Sequence, residues 1–217
     1  AKGDKKQEAA QAYKRNIDNL SATEWFEKGF RLQQSGNPTG AIKAYSKAVE
    51  LNPQDTDAYN MMATLYSVLG NNQQAIKTYN QGIKMNPQSA PLYSNRGTSY
   101  SELGNYQQAI ADYNKVIELK PQDALAYSNR GSAYTHLGNY QQAINDYSKA
   151  IELESKTVWL SMYYSHRGSA YLSLKNYQQA IEDYSKAIEL EPLDPFENKY
   201  TIYNKRGVAY ICLDNYR

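Results

Sequence analysis

The stretch YSNRGTSYSELGNYQQAIADY at residues 93–113 returns 34 residues later, at residues 127–147, as YSNRGSAYTHLGNYQQAINDY. Extending this period in both directions gives six aligned repeats, which begin at Ala22, Thr56, Ala90, Ala124, Ser161 and Tyr200. Positions are numbered below from the first residue of each repeat. Self-similarity at a fixed period of this length is the sequence signature of a stacked repeat architecture.

The spacing within each repeat predicts two helices joined by a short turn. Aromatic residues at positions 4 and 11 and a small residue at position 8 share one helical face, because they are separated by 4 and 3 residues. Alanine at position 20 and tyrosine at position 24 mark the second helix, and between the helices lies a Leu-Gly-Asn turn such as 103–105. This pattern places 19 of the 22 tyrosines of the chain at positions 4, 11, 17 and 24. Because one hairpin cannot bury so many large side chains alone, the repeats must stack.

Composition excludes several classes of protein. The 24 Lys and Arg residues are balanced by 22 Asp and Glu residues, so the net charge is +2 and no dedicated nucleic-acid binder is expected. No apolar run approaches the roughly 20 residues that cross a bilayer, so membrane insertion is not expected. The single cysteine, Cys212, excludes an internal disulfide framework. With only two histidines, His136 and His166, no metal or other cofactor is predicted.

On these residues the chain resembles the tetratricopeptide repeat family, whose aromatic-x₃-Gly-x₂-Tyr…Ala-x₃-Tyr…Pro pattern it repeats. The resemblance implies an all-α fold: a right-handed α-solenoid, or superhelix, of antiparallel helix pairs, with five complete repeats and a partial sixth. It also implies that the first helix of each pair lines a concave groove.

The expected domain organisation is an N-terminal amphipathic helix over residues 1–21, followed by the repeat array over 22–217. The helix is predicted from Ala9, Tyr13, Ile17 and Leu20, which fall on one stripe and would cap the first repeat. The alternative for this segment is a flexible tail. We expect the array to continue beyond Arg217, where the second helix of repeat 6 would begin. The predicted repeats span 22–55, 56–89, 90–123, 124–157, 161–194 and 200–217, with insertions at 158–160 and 195–199.

The insertions at 158–160 and 195–199 allow two interpretations. They are extensions of a loop or a helix end, or they widen the superhelix and present Trp159 or Phe196 to a partner.

An arginine and an aspartate vary together along the array. Position 7 is arginine and position 23 is aspartate in repeats 3 to 5, whereas repeats 1 and 2 have neither. This covariation predicts an ion pair, either within one repeat or from an aspartate to the arginine of the next repeat, as from Asp183 to Arg206. A shared duplication history would produce the same pattern without any contact. The residues are Arg96, Arg130 and Arg167 with Asp112, Asp146 and Asp183.

No catalytic motif is present, so we predict a non-catalytic scaffold that binds a protein or extended peptide in the groove. The alternative is a regulatory or substrate-recruiting region of a longer enzyme. Self-association through repeat ends or inserted segments is a further hypothesis for the partner. The sequence leaves the compartment open and favours the cytoplasm slightly over a secreted or periplasmic location.

The family resemblance places neutral hydrogen-bonding residues in the groove. Asn95 and Asn129 occupy the same position in repeats 3 and 4, and we expect them to hold the main chain of an extended ligand. The predicted groove residues are Asn60, Ser94, Asn95, Thr98, Ser128, Asn129, Ser132, Ser165, His166 and Asn204.

The carboxylate clamp with which some members of this family grip chaperone C-termini is not expected here. That clamp needs lysine and asparagine in the first repeat, where this chain has Phe26 and Phe30. It needs asparagine in the second repeat, where the chain has Met61.

Overall fold

The computed structural model describes residues 20–190 and 199–214. Residues 1–19 of the cap predicted over 1–21 lie outside the described residues, and so do the inserted residues 195–198, including Phe196. Within the described ranges the chain forms eleven helices and no strand, which confirms the all-α fold class. The helices are α1 (Ala22–Gln34), α2 (Pro38–Leu51), α3 (Thr56–Val68), α4 (Asn72–Met85), α5 (Ala90–Glu102), α6 (Tyr106–Leu119), α7 (Ala124–His136), α8 (Tyr140–Leu153), α9 (Thr157–Ser173), α10 (Tyr177–Glu189) and α11 (Lys199–Asp214).

Odd-numbered helices are the first helices of the repeats and even-numbered helices are the second ones. Contacts within repeat 2 show that its two helices run antiparallel. Ser67 donates to the Oδ1 of Asn72 near the turn, and the hydroxyls of Thr64 and Tyr79 meet at 3.1 Å farther from it. The helix–turn–helix repeats predicted from the spacing are therefore confirmed.

The glycine of the turn adopts a conformation that other residues rarely adopt. Gly70, Gly104 and Gly138 have φ of 76°, 74° and 75°, in the left-handed region that ends many helices. In repeat 5 the same place is held by Lys175, with φ of 60°. A residue with a Cβ pays roughly 1–2 kcal/mol in this region, so the repeat 5 turn is less favourable than the others.

The core of each of the five complete repeats is built on its position 24 tyrosine. These rings are at most 2% exposed, and the alanines at position 20 are fully buried beside them. At Gly97 a Cβ would lie 2.8 Å from the Cε1 of Tyr113, so only glycine allows α5 to approach this closely. Each buried aromatic side chain removes roughly 150–250 Å² from water, which makes these tyrosines the main stabilising residues. They are Tyr45, Tyr79, Tyr113, Tyr147 and Tyr184.

The contacts divide the chain into two compact modules, and the division falls inside α5 between Asn95 and Arg96. In the N-terminal module (1–95), α1 packs on α2, α2 on α3 and α3 on α4. In the C-terminal module (96–217), each helix from α6 to α11 packs on the next. There the first helices also touch one another, α7 with α9 and α9 with α11.

The insertion at 158–160 lengthens a helix. α9 begins at Thr157 and runs for 17 residues, so the added residues form an extra turn at its N-terminal end. Trp159 on this turn is 40% exposed. Among the helices of residues 20–190 and 199–214, none is long and apolar enough to cross a membrane.

Candidate functional site

The arginine–aspartate pairs form within repeats, which decides between the two alternatives left by the sequence. The guanidinium of Arg130 donates to both carboxylate oxygens of Asp146, at 2.8 and 2.6 Å. Arg167 makes the same two-pronged contact with Asp183, at 2.8 Å for both bonds. The aspartates are about 5% exposed, so repeats 3 to 5 each bury one carboxylate against one guanidinium.

In the C-terminal module, arginines at position 7 also donate to the preceding repeat. Arg130 donates from Nη1 to the Oδ1 of Asn114 at 2.6 Å, and Arg167 donates to the hydroxyl of Ser148 at 2.9 Å. Arg206 donates to the hydroxyl of Ser185 in repeat 5 at 3.1 Å, where the alternative pairing would have joined it to Asp183. All three acceptors occupy position 25 of their repeats. In repeats 4 and 5, the position 7 arginine therefore joins the two helices of its own repeat to the second helix of the repeat before it.

The aromatic ring at position 4 completes the surroundings of these arginines. The guanidinium carbon of Arg130 lies 5.5 Å from the ring centre of Tyr127, within the range of a cation–π contact. Burial raises the pKa of the Asp183 carboxyl above its usual range, although the hydrogen bonds and charge of Arg167 act against that rise. A carboxylate enclosed by its own arginine has no access to a substrate, so we assign these pairs a structural role.

Three predicted groove residues lie in the N-terminal module, and all three are half-buried. They are Asn60, Ser94 and Asn95. The Nδ2 of Asn95 donates to the Oδ1 of Asn60 at 2.9 Å, which links the first helices of repeats 2 and 3. A ligand that binds Asn95 therefore has to share or replace this contact.

The other predicted residues lie in the C-terminal module and differ in exposure. Thr98 and Asn204 are exposed, and Asn129, Ser132 and His166 are half-buried. The serines at position 5 depart from the expectation of an open groove lining. Ser128 is 3% exposed and Ser165 is fully buried, because small side chains there lie inside the packing between helices. These two serines present no surface to a ligand.

Hydroxyl groups at position 9 contact the buried tyrosine of the same repeat. The hydroxyls of Thr98 and Tyr113 lie 3.3 Å apart, and Tyr184 donates to the hydroxyl of Ser169 at 3.1 Å. Ser132 hydrogen-bonds the hydroxyl of Tyr147 in the same way, while burial raises the pKa of Tyr147 to about 12.

Sequence reasoning missed this second role of Thr98 and Ser132. The signal was present, since repeats 2 to 5 all combine Thr or Ser at position 9 with Tyr at position 24. Repeat 1 has Phe30 at position 9, and there the hydroxyl of Tyr45 donates to the side chain of Gln33 instead.

Both histidines pack on aromatic rings from the preceding repeat. The ring of His166 lies 5.6 Å from that of Tyr147, and His136 stacks on Tyr106 at 4.6 Å with the rings nearly parallel. Within the described part of the chain, no three His, Cys, Asp or Glu residues come together in a way that could hold a metal ion.

Three family models match segments of the array. A model described as TPR repeat matches residues 97–138. A model described as tetratricopeptide repeat matches 124–156 and 161–193, and a second model of that description matches 32–95. No curated protein sequence matches the chain.

Several solved structures share the fold. The crystal structure of the MamA protein is 25% identical with a TM-score of 0.72, over 78% of this chain and 91% of that chain. A tetratricopeptide repeat protein from Parabacteroides merdae is 23% identical with a TM-score of 0.75, over 89% and 73% of the two chains. YrrB, characterised as a TPR protein with an unusual peptide-binding site, is 20% identical with a TM-score of 0.69, over 85% and 92%.

Proposed function

This chain belongs to the tetratricopeptide repeat family, and we propose that it is a non-catalytic scaffold that binds an extended segment of a protein partner. One observation carries the proposal. In the C-terminal module three first helices follow one another in contact, and each has a half-buried or exposed side chain with polar atoms that can form hydrogen bonds. These side chains are Asn129 on α7 and His166 on α9, both at position 6, and Asn204 on α11, at position 5 of the last repeat.

The chemistry of these residues suits a peptide main chain. An asparagine side chain supplies two donors and an acceptor, which match the carbonyl and amide groups of an extended backbone. The half-buried His166 ring, held against Tyr147, adds a flat face and polar atoms between the two asparagines in chain order. Binding through neutral groups should depend only weakly on salt.

YrrB supports the proposal only as a member of the same fold with a peptide-binding site of its own. At 20% identity its ligand chemistry cannot be transferred to these residues. The proposal therefore depends on the side chains of this chain.

Asn129 is the residue to test first. Asn95 was expected to act together with it, but Asn95 already donates to Asn60, so its gain on binding a ligand is smaller. Loss of one neutral hydrogen bond costs roughly 0.5–1.5 kcal/mol, so we expect Asn129→Ala to weaken binding about 2- to 13-fold.

The experiment selects peptides from a random displayed library against the whole chain and measures their affinity by fluorescence anisotropy. The test variants are Asn129→Ala and His166→Ala. The matched control is Gln142→Ala, which truncates an exposed amide side chain on the second helix α8.

Support requires that the selected peptides lose affinity for Asn129→Ala and keep it for Gln142→Ala. Peptides that bind all three variants equally would show that the ligand surface is elsewhere. Selection of no peptide at all would also contradict the proposal.

A further inference from the structure

Repeats 2 to 5 each have a neighbouring repeat on both sides. Among them, repeat 2 lacks the arginine–aspartate pair. Its position 7 is Met62 and its position 23 is Thr78. At this place the N-terminal module has an open cleft of about 390 Å³ between α2, α3 and α4, within the size range of small-ligand sites. The cleft is lined by Ser46, Val49, Glu50, Pro53, Tyr59, Met62, Tyr66, Gln74, Thr78 and Gln81.

Repeat 5 shows what fills the corresponding place when an arginine is present. The guanidinium of Arg167 lies 5.3 Å from the ring centre of Tyr164 at position 4 and 5.9 Å from that of Tyr171 at position 11. It donates to the hydroxyl of Ser148, at position 25 of the preceding repeat. Its remaining partner is the carboxylate of Asp183.

The cleft of repeat 2 keeps most of these surroundings without the arginine. Tyr59 and Tyr66 stand at positions 4 and 11, and Ser46 stands at position 25 of the preceding repeat. Met62 is 7% exposed and Thr78 only 1%, so the shorter Thr78 forms the floor where repeats 3 to 5 have a carboxylate. The hydroxyl of Thr78 donates to the main-chain carbonyl of Gln74, so its oxygen keeps acceptor capacity.

The negative charge of this cleft comes from its rim. Glu50 lines the cleft, and its carboxylate pairs with Lys47 at 2.5 Å while both side chains stay 54% exposed. A carboxylate in this position has oxygen sites left for a second cation. The side-chain amides of Gln74 and Gln81 add neutral acceptors on the opposite wall.

We propose that this cleft binds the arginine side chain of a protein partner. The planar guanidinium is the cation that stacks on tyrosine rings and forks between several acceptors, whereas the compact lysine ammonium does neither as well. The site lies in the N-terminal module and does not depend on the peptide surface proposed above for the C-terminal module.

The test uses N-acetyl-arginine amide as the ligand, with N-acetyl-citrulline amide as its neutral isostere and N-acetyl-lysine amide as the alternative cation. Saturation-transfer NMR titrations measure affinity, and the methyl resonance of Met62 in the whole chain reports where the ligand binds. For one side chain we expect a millimolar dissociation constant, at least fivefold tighter for arginine than for citrulline or lysine.

Two sets of variants locate the site. Met62→Arg with Thr78→Asp recreates the pair of repeats 3 to 5, leaves the net charge unchanged and should weaken arginine binding at least tenfold. Glu50→Gln should weaken it about two- to fivefold, as expected for a partly exposed ion pair. Its matched control is Asp57→Asn, which removes an exposed carboxylate from α3 outside the cleft and should change affinity less than twofold.

The proposal is overturned if arginine does not bind, if citrulline binds equally well, or if the Met62 methyl resonance does not shift. Unchanged arginine binding to the Met62→Arg/Thr78→Asp variant overturns it as well. Circular dichroism shows whether that variant folds. If it does not, the comparison of Glu50→Gln with Asp57→Asn and the Met62 shift decide the question.

Discussion

Replacing Arg130 by methionine removes the partner of a carboxylate that the fold has already buried. Asp146 is 5% exposed and accepts two hydrogen bonds from Arg130, whose own side chain is 19% exposed. Because the carboxylate stays in place without its guanidinium, the free energy of unfolding should fall by about 3–5 kcal/mol, the usual cost of breaking a buried ion pair.

Repeat 2 offers a natural replacement for both partners at once, since it has methionine and threonine at these positions. Asp146→Thr alone should cost about 1–3 kcal/mol, because Arg130 keeps its contacts with Asn114 and Tyr127. The double variant Arg130→Met/Asp146→Thr leaves no unpaired charge and loses mainly the hydrogen bond to Asn114. It should cost only about 0.5–1.5 kcal/mol, which makes the coupling between the two sites at least about 2 kcal/mol.

The assay is urea denaturation of the four proteins in the thermodynamic cycle, followed by circular dichroism. Equal m-values must be checked first, because repeat arrays can unfold in parts. The reasoning fails if Arg130→Met costs less than about 1 kcal/mol, or if the two single effects simply add in the double variant. Affinity for a peptide selected as above should be nearly unchanged in all four, because the pair is buried within its repeat.

Four further substitutions test helix packing, the turn of repeat 5 and a buried tyrosine. Gly97→Ala should lower stability by roughly 1–3 kcal/mol in thermal denaturation, because its Cβ would meet Tyr113 at 2.8 Å. Gly207→Ala is the control: its Cβ meets no described atom within 4 Å, so it should raise stability by up to about 1 kcal/mol. Lys175→Gly should raise stability by roughly 0.5–1 kcal/mol in the same assay, since glycine accepts a φ of 60° without strain. Burial raises the pKa of Tyr147 from 10.0 to about 12. Its contribution of about 2–3 kcal/mol to the free energy of unfolding is therefore complete below pH 10 and is lost as the pH rises to about 12. Tyr147→Phe should reduce this alkaline loss of stability, measured by urea denaturation at each pH.

The helices and their pairing could be predicted from the sequence because helical periodicity is a local property. Residues 3 and 4 apart meet on a helix whatever surrounds it, so Tyr93, Gly97 and Tyr100 identify the buried face of α5 without a tertiary model. The turn glycines were predictable for the same reason, since a left-handed φ is a preference of single residues. Candidate site residues were harder to judge, as their exposure depends on neighbouring helices.

The order of the repeats, their helical hairpins and the placement of the tyrosines were determined by the sequence alone, because the period aligns each residue with its equivalents. Only the tertiary structure decided that Arg130 binds Asp146 of its own repeat and also Asn114 of the repeat before it. Only the structure showed that Ser165 is buried while His166 beside it is half-exposed. Duplication preserves both partners of every pairing at once, so a linear pattern cannot distinguish contacts within a repeat from contacts between repeats. That distinction depends on how closely packed helices approach, and the distance between two packed helices is a property of the folded chain.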